Sequence, residues 1–188
     1  MGLLRGSGIA LVGLLLAGCG GVAEEPAPPP PVVSSRLELP VRPATLSVQG
    51  VDPCSLVSGK LREQFSAVDA GLRDEAPDGL GCAWTGRPGT RGFSMGLRLV
   101  RRPVREFLEL PGARVANVAG FGAVDVPGAP HEPGCVTRVE VADDTTLWAS
   151  YQVIPDPAAP EVSPDTACER SHRIAIGALA QLLLRPPR

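Results

Sequence analysis

Five cysteines constrain this chain more than any other feature, because four of them recur through the C-terminal part and the fifth stands apart near the start. The four are Cys54, Cys82, Cys135 and Cys168. An odd cysteine count in an exported protein leaves one thiol that needs its own explanation. Cys19 is the cysteine whose neighbours differ from the others, so its role has to be read from the residues before it.

Residues 1–19 have the pattern of a secretory signal. Arg5 precedes a short apolar run, and the segment Leu16-Ala17-Gly18-Cys19 closes it. A charged start, a short apolar stretch and small residues are typical of a signal peptide, and the run is too short to span a membrane. Its last four residues resemble the bacterial lipobox, whose cysteine receives a diacylglyceryl group. We therefore predict a signal peptide over 1–18, lipidation of Cys19 and anchoring at the extracytoplasmic face of the cell membrane; the alternative is a core helix with a chance cysteine.

The next segment, 19–50, is rich in proline. Residues 20–50 hold seven of the 21 prolines, four of them consecutive over 28–31, and show no apolar periodicity. Such a composition cannot bury enough apolar surface to offset the entropy of ordering, and proline keeps a chain extended. We predict a tether over 19–50 and one folded domain over 51–188. A ligand for a proline-recognition domain is the alternative reading of the tether.

The domain has mixed helix and strand patterns. Asp52-Pro53 and Ser58 predict the start of short helical turns, and Pro103 predicts a short helix over 104–110. Strand patterns occur around 82–84, over 93–99 and at 135–141 and 147–154, the last two joined by Asp143-Asp144 as a hairpin. Ser163 and Pro164 predict the start of a long C-terminal helix. Because helices and strands do not alternate, we expect an α+β fold with an antiparallel sheet, packed by this long helix and a short N-terminal one.

Four cysteines in an exported domain normally form disulfides, and three pairings are possible. We favour Cys54–Cys82 and Cys135–Cys168, because the first would tie the opening helix to a strand and the second would pin the last helix to the hairpin. The alternative is a zinc site, since His131 and Cys135, like Cys168 and His172, are four residues apart. Zinc signatures usually pair like ligands at closer spacing, so we predict two disulfides and no metal.

Charge and motifs narrow the possible functions. The formal net charge of −2 argues against nucleic-acid binding. The segment Gly92–Gly96 matches the serine hydrolase elbow G-x-S-x-G, but Ser94 lies within a strand pattern instead of at a turn. We therefore expect no catalytic residue, no cofactor and no enzyme.

The densest positive cluster is a candidate anion-binding site, and a solvated strand end is its alternative. It consists of Arg98, Arg101, Arg102 and Arg105.

The cysteines and their neighbours resemble a family of exported actinobacterial lipoproteins that carry a domain of unknown function. The resemblance covers most of 51–184 and is carried by the lipobox cysteine, the tether, Asp52-Pro53-Cys54, Cys82-Ala83-Trp84, Gly120-Phe121-Gly122-Ala123 and the last two cysteines. Ala123 stands where the family pattern would lead us to expect an aspartate. The resemblance implies a cell-surface lipoprotein and transfers no activity.

These observations predict a lipid-anchored envelope protein whose domain binds a small ligand or another envelope protein. An accessory or sensor module that acts through a protein partner is the alternative. An envelope hydrolase is the third possibility and lacks a nucleophile and base in a suitable pattern.

Overall fold

The computed structural model describes residues 38–67, 70–87, 92–129, 132–156 and 161–185. Their fold is α+β, as predicted, with one antiparallel seven-stranded sheet in the order β1-β2-β3-β7-β6-β5-β4. The strands are β1 (Leu72–Ala76), β2 (Gly79–Gly86), β3 (Phe93–Val100), β4 (Arg114–Val118), β5 (Phe121–Pro127), β6 (Gly134–Ala142) and β7 (Thr145–Val153). The helices are α1 (Gly59–Gln64), α2 (Pro164–Leu183) and two 3₁₀ turns, Pro53–Leu56 and Val104–Phe107.

The central strands form where the side chains alternate. In β3, Phe93, Met95 and Leu97 are buried while Ser94 and Gly96 between them are only partly buried. The hairpin of β6 and β7 is confirmed, and Asp143 and Asp144 lie at its turn. Alternation of this kind buries one face of a strand and leaves the other for polar or small residues.

Three strands were not predicted. β1 and β4 are the two edges of the sheet, and β5 lies next to β4. Phe121 and Gly122 already lie in β5, whereas Gly120 belongs to the turn before it. Ala119 and Gly120 have φ values of 53° and 89°, which form a two-residue hairpin turn between β4 and β5.

Side-chain caps start the helices where the sequence predicts them. The Ser58 hydroxyl accepts a hydrogen bond from Leu61 N, and the Ser163 hydroxyl accepts one from Thr166 N. The Asp52 carboxylate caps the first 3₁₀ turn by accepting from Cys54 N, and a hydrogen bond from Arg73 lowers the pKa of that carboxyl. The helix expected over 104–110 is shorter, a single 3₁₀ turn over Val104–Phe107. In the described part of the chain, no helix has the length and apolar character needed to cross a membrane.

The two faces of the sheet differ. One face, here called the helix face, packs against α1 and α2 and holds the main core, which includes Trp84, Phe93, Tyr151 and Ile174. Both predicted disulfides form on this side. Cys54–Cys82 joins the first 3₁₀ turn to β2, and Cys135–Cys168 joins β6 to α2. We call the opposite side the open face, because its cover in the described chain is small and centres on the turn Val104–Phe107.

The folded contacts begin before Val51, the boundary that composition suggested. Leu46 is buried in the main core, and its backbone N–H donates to Val141 O of β6. Arg42 makes an ion pair with Glu140. Proline content concealed these contacts, because one buried leucine and one backbone hydrogen bond leave no periodic pattern. Residues 19–37 of the predicted tether lie outside the described residues.

Candidate functional site

One cavity lies at the end of the sheet where β6 turns into β7. It has a volume of about 590 Å³. Its walls are the segment 47–51, the starts of β2 and β7, and the ends of β3 and β6. We call it the hairpin-end groove; its lining residues are Ser47, Val48, Gln49, Gly50, Val51, Gly79, Leu80, Leu99, Arg101, Ala142, Asp144 and Thr145.

The hairpin-end groove combines an apolar floor with a charged rim. Leu80 and Leu99 are paired neighbours on β2 and β3, and 45% of the Leu80 surface is exposed. Arg101 and Asp144 are both exposed at the rim, and neither makes an ion pair within the described chain. An apolar cavity with a few polar groups is the usual form of a small-molecule site.

A second, smaller cavity lies on the open face and measures about 310 Å³. Its floor is formed by small residues on adjacent strands, Ala83, Gly96 and Ser150. Trp148 and Arg98 stand beside it. We call this cavity the open-face groove. It exists because the central strands carry small side chains at three neighbouring positions.

Arg138 lies on the open face, next to Trp148 in the strand register. Its guanidinium carbon is 4.8 Å from the Phe107 ring centre and 4.7 Å from the Trp148 ring centre. The two rings themselves meet edge to face at 5.3 Å. Burial, and secondarily the nearby charge of Arg102, lowers the pKa of Arg138 to about 10. The position is thus a buried cation held by two aromatic rings.

The four arginines predicted as an anion site do not form one site. Arg98 pairs with Asp74 and Asp78 beside the open-face groove. Arg101 lies at the hairpin-end groove. Arg102 pairs with Glu106 and lies over the Phe107 ring, and Arg105 is exposed on the same 3₁₀ turn. Their closeness in sequence does not carry over to space, because they are divided between a strand and the turn that follows it.

The residues of the zinc alternative have other partners. Cys135 and Cys168 are bonded to each other, and His172 Nε2 lies 2.9 Å from both carboxylate oxygens of Asp125. Asp125 also accepts a hydrogen bond of 2.8 Å from the Thr137 hydroxyl. These contacts form a polar network that joins β5 and β6 to α2. His131 lies outside the described residues.

Ser94 and Cys19 are the remaining candidate residues from the sequence. Ser94 lies within β3, paired with Thr85 on one side and Gln152 on the other, so it has the strand position that the alternation indicated. Cys19, the predicted lipidation site, lies outside the described residues.

Comparison with known families places the chain. A sequence model described as a protein of unknown function, DUF3558, matches residues 14–181. The chain belongs to the DUF3558 family. No curated protein matches this sequence, and no solved structure does. The domain of unknown function indicated by the cysteine pattern is therefore present, and this DUF3558 domain comes with no activity of its own to compare.

Two residues of these candidate sites, Leu80 and Arg138, were not predicted from the sequence. Leu80 looks like an ordinary strand residue, and Arg138 alternates with apolar neighbours as a solvent-facing residue would. Val136 and Val139, close to Arg138 in the sequence, were the available signal of a buried strand. No residue near Arg138 in the sequence indicates that Phe107 covers the open face of β6 at this position.

Proposed function

We propose that this DUF3558 protein is an exported, lipid-anchored protein of the cell envelope whose domain binds a small ligand in the hairpin-end groove. The groove carries the proposal, because its cavity of about 590 Å³ pairs an apolar floor with Arg101 and Asp144 at the rim. The signal and lipobox pattern supports the anchor, and the resemblance to actinobacterial lipoproteins supports the envelope location. Two disulfides suit an oxidising compartment.

The chemistry of the groove indicates the kind of ligand. Leu80 and Leu99 offer apolar contact to the ligand body, and Arg101 offers a cation at one edge. An apolar molecule with a single negative group matches this combination. Ring faces that would stack with a sugar are absent from the residues lining this groove in the described chain.

A fluorescent apolar anion, 8-anilinonaphthalene-1-sulfonate, tests the groove. We expect saturable fluorescence enhancement with the folded chain, and at least a several-fold weaker affinity in Leu80→Gln and in Arg101→Gln. Leu72→Gln is the control for the first variant, since Leu72 is 76% exposed on the neighbouring strand and does not line the groove. Arg105→Gln controls for loss of charge. Equal weakening by the variants and their controls would assign the dye to general surface binding and contradict the proposal.

The anchor is tested separately in a bacterial host that lipidates exported proteins. The wild-type chain should partition into detergent and incorporate a palmitate analogue, whereas Cys19→Ala should give a soluble or unprocessed product. Gly18→Ala keeps a small residue before the cysteine and should still be lipidated. Correctly cleaved Cys19→Ala protein that still partitions with membranes would refute the anchor.

A second candidate function, a module that acts through a protein partner, is favoured by one observation. The C-terminal half of α2 and its C-cap residue expose Ile176, Leu183 and Leu184, at 46%, 53% and 79% of their surface. Positions separated by seven and eight residues lie on the same side of a helix, so these side chains form one apolar stripe. Ile176→Gln and Leu183→Gln should abolish association with such a partner and leave dye binding in the hairpin-end groove unchanged.

A further inference from the structure

Arg138 is a buried cation whose charge has no counter-ion in the described structure. Only 8% of its surface is exposed. Among the residues that the structure describes, it makes no ion pair and no hydrogen bond, and its contacts are with the rings of Phe107 and Trp148. Buried arginines are normally paired, because an isolated buried charge is costly. Something outside the described chain is therefore expected to balance this one.

Three buried donors at this position have no acceptor in the described structure. Arg138 Nε and Nη1 are buried without a hydrogen-bond partner, and so is Trp148 Nε1. The strand neighbours add no acceptor, since Arg138 is paired in register with Val124 on one side and Trp148 on the other. Glu140, two residues further along β6, is already engaged by Arg42. The guanidinium of Arg138 therefore has neither a counter-ion nor an acceptor in the described structure, and an oxygen-rich anion that reaches its Nη2 edge would supply both.

Two other arginines near this position are paired with carboxylates. Arg98 lies on the far side of Trp148 in the same register row and pairs with Asp74 and Asp78. Arg102 lies 5.1 Å from the centre of the Phe107 ring and pairs with Glu106. Arg138 alone among these three has no carboxylate, and Arg102 brings a second guanidinium to the Phe107 ring that Arg138 also contacts.

We propose that Arg138 and Arg102 form an oxyanion site at the Phe107 ring, and that its ligand is a phosphate group. A guanidinium recognises phosphate through paired N–H donors, and two guanidiniums favour phosphate over a singly charged carboxylate. Because Nε and Nη1 are enclosed, the ligand approaches from the Nη2 edge of Arg138.

This oxyanion site is separate from the hairpin-end groove. Its residues lie on the open face, whereas Leu80 and Leu99 of the groove lie on the helix face. The two proposals can therefore fail independently. Dye binding that depends on Leu80 tests the first, and phosphate binding that depends on Arg138 tests the second.

Calorimetric titration of the full chain with inorganic phosphate, at constant ionic strength against chloride, tests the site. We expect one saturable site. Arg138→Met should weaken it at least tenfold, and Arg102→Gln several-fold. Arg138→Lys keeps the charge but loses the paired N–H donors of the guanidinium, so it should also weaken phosphate binding. Arg105→Gln removes an exposed charge from the same 3₁₀ turn and should leave phosphate affinity unchanged.

A second arm separates a free phosphate from a lipid headgroup. Co-sedimentation with phosphatidylglycerol vesicles, compared with phosphatidylcholine vesicles, measures headgroup binding. Binding that Arg138→Lys reduces supports the site. If that binding occurs on the vesicles, the ligand is a lipid headgroup; if it occurs only with inorganic phosphate, the ligand is a soluble phosphate. If phosphate shows no saturable binding in either arm, or if Arg138→Lys and Arg138→Met bind as well as the wild type, the proposal is overturned. Circular dichroism of each variant confirms that it is folded.

Discussion

Replacing Arg138 by methionine should stabilise the protein when no anion is bound. Burial lowers the pKa of Arg138 well below its ordinary value, to about 10, so the folded state holds the proton less tightly than the unfolded chain does. At about 1.4 kcal/mol per pKa unit, this corresponds to about 3 kcal/mol of destabilisation. The group is charged at every pH below about 10, so the whole penalty is present at neutral pH.

The stabilising contacts that Arg138→Met removes are worth less than this penalty. Arg138→Met removes two cation–π contacts, worth about 1 kcal/mol each, while the methionine side chain keeps most of the contact with Phe107 and Trp148. The expected net result is a gain of about 1 kcal/mol in the free energy of unfolding, in line with other replacements of buried charges by apolar residues. Urea unfolding in a phosphate-free buffer at pH 7 measures it.

Arg98→Met is the matched control, because Arg98 occupies the same row of the sheet but pairs with Asp74 and Asp78. Its replacement leaves two partly exposed carboxylates without a cation and should cost up to about 1 kcal/mol. The two arginines should thus respond with opposite signs. A loss of more than about 1 kcal/mol in Arg138→Met would refute the reasoning, since it would mean that the stacked guanidinium stabilises the fold without any anion.

Three further predictions concern the helix face. Replacing Cys135 and Cys168 together by serine opens a loop with a sequence separation of 33 and should cost about 4 kcal/mol in urea unfolding, and reductant should lower the free energy of unfolding further by opening Cys54–Cys82; an unchanged stability of the oxidised variant would contradict the prediction. Ser163→Ala removes the cap of α2 and should lower the free energy of unfolding by about 1 kcal/mol, whereas an unchanged value would show that the helix start is held by packing alone. Asp125→Asn weakens the contacts to Thr137 and His172 and should cost about 1–3 kcal/mol; a neutral effect would show that the network contributes little.

The parts of the fold that the sequence predicts are those with one buried and one exposed face. Met95 and Leu97 of β3 alternate with smaller or polar residues, and the long helix α2 has both its cap and its apolar stripe. The strand β5 escaped prediction for the opposite reason, since Phe121, Ala123 and Val124 are all buried. A strand that is covered on both faces loses the alternation by which it is recognised. β1 escaped because Leu72–Glu75 are all exposed at the sheet edge, where nothing selects an apolar face.

The disulfides followed from simple considerations, whereas the candidate sites did not. The pairing of Cys54 with Cys82 and of Cys135 with Cys168 needs only a helix beside a strand in each case. The environment of Arg138 depends on a 3₁₀ turn from a different part of the chain, which places Phe107 over β6. No local pattern encodes that contact, so a residue that alternation assigns to solvent becomes buried.

The Asp125 network on the helix face and the Arg138 position on the open face differ in how far the described chain satisfies their buried polar groups. On the helix face, Asp125, Thr137 and Ser171 satisfy one another or the backbone, as Ser171 does by donating to Ala149 O at 2.8 Å. That network is complete, and its role is to hold α2 on the sheet. On the open face, Arg138 and Trp148 present donors that the described chain leaves without acceptors. Because an unsatisfied buried donor and an unpaired buried charge are costly, Arg138 is the position on this sheet where binding of an external anion should be tested first.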